Sequence, residues 1–177
     1  MANRQVREDP DSNRVCQQCT AQNSSNDNTC GNRTCKFNLC WRHLARDFGL
    51  RVKQSRLIPG QNGLFATRPF ATGDIICPYT GQELTRDEVE ELYPGNTLAK
   101  YVACITGEDI CVDATDTDSH VARYANDGGH VSNASFQDDG EMIWLEASRE
   151  IGIDHEILAD YGDEYWEDGD HRVRASD

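Results

Sequence analysis

From residue 57 onward, short apolar runs alternate with turn residues. Segments 64–67, 74–78, 102–106, 110–113, 142–147 and 156–160 are rich in β-branched or alternating apolar positions, which predicts strands of a few residues each. One helix start interrupts this rhythm. Thr85 precedes Arg86, Asp87 and Glu88, and Val89, Leu92 and Tyr93 then give the helix an apolar face. A second short helix is predicted over 41–50, with Gly49 near its end, and residues 119–125 suit one or two helical turns. The pattern is mainly β, of the α+β class.

Upstream the pattern is different. Residues 1–14 are polar and aperiodic, which predicts a disordered lead-in. Residues 15–50 hold too few apolar side chains for a core in an Asn- and Thr-rich background. They also hold Cys16, Cys19, Cys30, Cys35, Cys40 and His43, with Cys-x2-Cys at one end and Cys-x2-His at the other. Paired spacing lets one turn supply two ligands to a tetrahedral zinc, so a structural zinc would provide the stability the core lacks. Six candidates exceed one site, leaving open one zinc with two spare cysteines or a two-zinc cluster. The segment loosely resembles the cysteine-rich zinc domain of certain chromatin-associated repressors. Cys77, Cys104 and Cys111 fall in predicted strands and read as small buried apolar residues. His120, His130, His155 and His171 have no partner at metal spacing.

Charge sharpens the division. The net charge is −14. Residues 1–58 hold 10 Lys/Arg against 5 Asp/Glu, and residues 59–177 hold 7 against 26. The acidic body either keeps the protein soluble or attracts a basic partner, and the basic N-terminal part suits contact with nucleic acid. No run of eighteen apolar residues occurs and the N-terminus lacks an apolar signal region, so the expectation is no membrane span and an intracellular, reducing location.

Three segments carry a family resemblance. GLFATRPFATGDIICPYTG begins at Gly63, RYANDGGHVSNASF at Arg123, and EILADYGDEYW at Glu156. In this order and spacing the chain resembles the SET domain of protein lysine methyltransferases over about 57–166. The resemblance implies a fold of short folded sheets with a C-terminal pseudoknot over 56–167, followed by an acidic tail over 168–177. It implies S-adenosylmethionine as cofactor, and a basic protein substrate, a histone tail foremost, on chromatin in the nucleus. It makes Tyr161 the catalytic tyrosine and Tyr79 a wall of the lysine channel. Asn126 would bind the methionine end of the cofactor, with Arg123 supporting its loop. Asn62, Gly63, Leu64, Tyr101, Asp127, Trp166 and Tyr161 itself complete the cofactor set, Gly63 offering backbone without a side chain.

The chain departs from the family pattern in four places. Gln61 replaces a glycine, and Asp127-Gly128 replaces His-Ser. Ala159 stands where a Phe or Tyr is usual, and the C-terminal cysteine cluster is missing, with Tyr165 and Trp166 in its place. The alternative these departures support is a non-catalytic chromatin-binding module with a decayed SET fold.

Overall fold

The computed structural model describes residues 17–23, 26–30, 32–34, 38–94, 100–115 and 120–162. Cys16, Cys35, Tyr165, Trp166, the lead-in and the tail lie outside the described residues. The first part holds β1 (Gln17–Gln18), β2 (Gln22–Asn23), β3 (Asn26–Thr29), β4 (Arg33–Thr34) and α1 (Trp41–Phe48). Strands β5 (Leu50–Gln54), β6 (Asn62–Ala66), β7 (Ile75–Tyr79) and β8 (Gln82–Leu84) lead to α2 (Arg86–Leu92). The remainder is β9 (Val102–Cys104), β10 (Cys111–Asp113), β11 (Asn126–Asp127), β12 (Ala134–Asp138), β13 (Ile143–Ala147) and β14 (Glu156–Asp160).

The main sheet runs β5-β6-β14-β12-β13-β7, with β11 pairing β14 off this path. Strand β14 divides its length among its neighbours. Glu156 and Ile157 pair antiparallel with β6, while the residues after them run parallel to β11 and β12. Leu50, Leu64, Phe65, Leu145 and Ile157 are fully buried. A second sheet, β8-β10-β9, packs with α2 over a small cluster of Leu84, Val89 and Cys111.

Both predicted helices form for the reasons their sequences give. Gly49 ends α1 in the left-handed region (φ 71°), where its amide reaches the carbonyls of Ala45 and Leu44. Thr85 and Glu88 make a complete capping box on α2. The residues after His120 in the predicted 119–125 segment form a 3-10 turn, Val121–Tyr124.

The expected strands recur with shifts of a residue or two. The run at 102–106 ends at Cys104 because the chain turns back through Thr106–Asp109. Strands β5, β8, β11 and β12 had no clear pattern of their own. Sheet neighbours, rather than local propensity, hold them extended. Strand β5 takes the residues between the expected 15–50 and 56–167 segments and joins them to the main sheet. One cysteine reading needs correction. Cys77 is a buried free thiol as expected, but Cys104 and Cys111 are joined as a disulfide. They face each other across β9 and β10. The bracketing amide Ile105 N–H to Ile110 O puts them at a non-hydrogen-bonded pair, where side chains approach most closely.

Candidate active site

Tyr161 follows directly on β14, and Tyr79 ends β7. The Tyr161 hydroxyl donates to the Ala125 carbonyl at 2.6 Å, and the Tyr79 hydroxyl donates to the Tyr101 carbonyl at 2.7 Å. Each phenol directs its one proton to the backbone, so toward any other partner its oxygen acts as an acceptor. Phe136 lies between the two rings. Its centroid is 5.1 Å from Tyr79, edge-on, and 6.1 Å from Tyr161.

Phe136 was missed by sequence reasoning. Ala134 is opposite Ala159 in the parallel β12/β14 pair, so two residues further on Phe136 comes beside Tyr161. Ala159 itself is fully buried. The adjacent strand thus places a ring beside Tyr161, two residues along from Ala159. A single Phe in ASFQD gives no signal of this without the register.

Asn126 sits at the point where β6 and β14 meet. Its Nδ2 donates to the Asn62 carbonyl at 3.0 Å and to Glu156 Oε1 at 3.3 Å. Glu156 is buried and also accepts from Ser55 Oγ at 2.6 Å and the Arg56 amide at 2.7 Å. A buried carboxylate tolerates its position only with donors of this kind. It also explains Gly63, where a Cβ would stand 2.3 Å from Glu156 Oε1. Glu156 is a second residue that sequence reasoning missed, although an acid opening an apolar strand is a visible anomaly.

Arg123 is buried. Its Nη1 donates to the Thr115 carbonyl at 2.9 Å, and its guanidinium lies 4.2 Å over the Tyr101 ring. Tyr101, Tyr79 and Arg123 are thereby linked. Asp127, in place of a histidine, accepts the Tyr161 amide on Oδ1 at 3.1 Å. Leu64 is wholly buried within β6. The structure so places Asn126, Asp127 and Tyr161 along β14, with Asn62 beside Asn126, and links Tyr79, Tyr101 and Arg123 to one another. Three aromatic rings, oxygen lone pairs and a carboxamide fit a cationic methyl donor, which needs aromatic faces, oxygen dipoles and a polar anchor.

The metal candidates converge separately. The ligand atoms of Cys19, Cys30, Cys40 and His43 all lie within 4.8 Å of one another. His43 Nδ1 is 3.3 Å from Cys19 Sγ and 3.4 Å from Cys40 Sγ. Cys40 is the N-cap of α1 and His43 lies in its first turn, so the helix start fixes both. Burial opposes ionisation of Cys40, but the His43 and Arg42 amides and Asn32 outweigh it and hold its pKa at about 6. Burial pushes Cys19 up. Three sulfurs and an imidazole in a cluster of this size match a closed tetrahedral zinc site.

The SET domain family profile matches residues 61–162. N-lysine methyltransferase KMT5A-A of Danio rerio is 33% identical over 121 residues, covering 61% of this chain and 34% of that protein. The chain thus spans about a third of that relative's length. The methyltransferase domain of human PR domain-containing protein 2 superposes with a TM-score of 0.53 at 22% identity, over 68% of this chain and 83% of that one. A structure of ctPRC2 in complex with H3K27me3 and H3K27M gives a TM-score of 0.55 at 26% identity, over 64% and 14% of the two chains. Among the described residues, no helix is long and apolar enough to cross a membrane.

Proposed function

Because the chain belongs to the SET-domain family, we propose that it methylates the ε-amine of lysine in a basic protein, a histone tail foremost, using S-adenosylmethionine. The observation that carries this reading is the cluster of Tyr161, Tyr79 and Phe136, which the Tyr161 hydroxyl ties to Ala125, the residue before Asn126. Asn126, Arg123, Tyr101 and Asp127, the backbone at Asn62–Leu64, and Trp166 would hold the cofactor. When bound, S-adenosylmethionine supplies an electrophilic methyl on a cationic sulfur.

The chain's own residues account for the rest. Rings of Tyr79, Phe136 and Tyr161 exclude water from the lysine, which favours its neutral, nucleophilic amine. The Tyr161 oxygen, its proton already given to Ala125, accepts an amine N–H and fixes the attack direction. The Tyr79 oxygen, tied to Tyr101, does the same from the other wall. The acidic body draws the basic tail, which adds as a strand beside the site. The zinc module holds the N-terminal part and lets it reach DNA or the nucleosome, placing the protein on chromatin.

A second reading, the non-catalytic chromatin-binding module with a decayed SET fold, draws on Gln61 and on the internal use of the Asp127 carboxylate. Transfer of labelled methyl to mixed core histones and nucleosomes tests both. Incorporation that Tyr161→Phe abolishes supports the enzyme. Cofactor binding without any incorporation supports the module.

A further inference from the structure

One face of this acidic protein is basic, and its cations are held in place by rings. Trp41 opens α1 and is 57% exposed. The guanidiniums of Arg42 and Arg51 lie over its ring at 5.3 and 5.4 Å. Arg51 is opposite Phe65 in the β5/β6 pair. Phe65 in turn lies under Lys53 at 4.0 Å and Arg56 at 5.5 Å. Arg42, Trp41, Arg51, Phe65, Lys53 and Arg56 therefore form one continuous chain of contacts from α1 across the edge strand of the main sheet. Three acids stand nearby, one of them the buried Glu156, which accepts the Arg56 amide at 2.7 Å. Asp154 is 3.8 Å from Lys53, and Asp47 pairs with Arg46 at 2.9 Å.

We propose that this face binds the phosphate backbone of nucleic acid without reading its sequence. The inference rests on the reading that the N-terminal part meets DNA, and places the contact on α1, at the end of the cysteine module, and on β5. Methyl transfer is not needed for it. Cation–π contact fixes the cations before a ligand arrives, which lowers the entropy lost on binding. Guanidinium edges suit phosphate oxygens in pairs. A duplex presents a charge about every 1.7 Å of its axis, so each cation finds a partner in any register. The opposite sign elsewhere on the molecule keeps a basic tail and a polyanion on separate surfaces.

The test is anisotropy of a labelled duplex of mixed sequence with the full chain. Four phosphate contacts imply a slope of log K against log salt of about −3.6, or roughly a hundredfold loss between about 50 and about 200 mM salt. Replacing Arg42, Arg51, Lys53 and Arg56 together by Gln should remove most binding with the melting temperature little changed. If that variant does not fold, Arg42→Gln and Lys53→Gln singly should each weaken binding several-fold. Trp41→Ala removes no charge, yet should also weaken binding several-fold by releasing two guanidiniums. No weakening in Trp41→Ala would overturn the preorganised face. Binding kept in the fourfold variant but lost when Arg4, Arg7 and Arg14 become Gln would overturn this surface and leave nucleic-acid contact standing. No binding by the unaltered chain would end both. Equal competition by polyglutamate at matched charge would make the face a site for acidic protein instead, and overturn the assignment to nucleic acid.

Discussion

Asp127 Oδ1 accepts the backbone amide of Tyr161 at 3.1 Å, joining two residues 34 apart in sequence. The bond crosses from β11 to the end of β14, where the two strands run parallel. It sets the backbone from which the Tyr161 phenol projects. Asp127→Asn keeps an acceptor oxygen and should stay within a few-fold of normal turnover. Asp127→Ala leaves the amide without it, and a hydrogen bond to a charged group contributes about 1.5–3 kcal/mol. A ten- to hundredfold fall in kcat is expected, with cofactor affinity weakened as well because Asp127 also belongs to the proposed cofactor set, and peptide KM nearly constant. Steady-state kinetics with calorimetry would separate this from unfolding, which lowers all three.

Tyr161→Phe removes the oxygen but keeps the ring against Phe136. Stability should fall by about 1 kcal/mol, one lost hydrogen bond. Cofactor affinity should hold, while turnover should drop about a hundredfold if, as proposed, the oxygen acts on the transition state. Single-turnover assays at saturating cofactor would show it. Unchanged turnover would remove Tyr161 from the mechanism.

Phe136 lies beside Tyr161, and under the proposed function its ring would stand in for the one absent at Ala159 without a hydroxyl to take up the space of a methyl group. Products beyond monomethyl-lysine are therefore expected with excess cofactor. Phe136→Tyr adds an oxygen between the two phenols and should shift products toward monomethyl. Mass spectrometry of a peptide over time would decide, and a product that stops at one methyl in the unaltered protein would contradict the assignment.

Cys19, Cys30, Cys40 and His43 should bind one zinc per chain. Chelation should release the segment before α1 to proteolysis while the main sheet, whose core lacks these ligands, stays folded. His43→Ala should do the same without chelator. Metal analysis and limited proteolysis read both effects.

Burial lowers the His120 pKa from 6.5 to about 4, and its ring packs edge-on against Phe48. The folded protein keeps this histidine neutral where the unfolded chain protonates it. Stability from this group is present above about pH 6.5 and falls as pH drops toward 4, by about 3 kcal/mol in total. Urea unfolding at a series of pH values should show the decline, and His120→Leu should flatten it over that window.

What the sequence determined was whatever depends on near neighbours. Thr85 and Glu88 specify a capping box three residues apart, Gly49 stops α1, and Cys40-x2-His43 puts two ligands on one helical turn. The order of three short motifs identified the family. Tertiary structure decided what depends on strand register, because a shift of one residue turns each side chain to the opposite face. Only the alignment of β12 with β14 brings Phe136 beside Tyr161 and Ala159. Only the closed sheet brings Ser55, Arg56 and Asn126 to Glu156, and the meeting of β6 with β14 requires Gly63 to lack a side chain. The β9/β10 register likewise pairs Cys104 with Cys111, which the local sequence shows only as two apolar positions in separate strands. Asp127 looked like a lost histidine until the fold set its carboxylate against the Tyr161 amide. These contacts join residues 7 to 101 apart, and their geometry exists only once the sheet has closed.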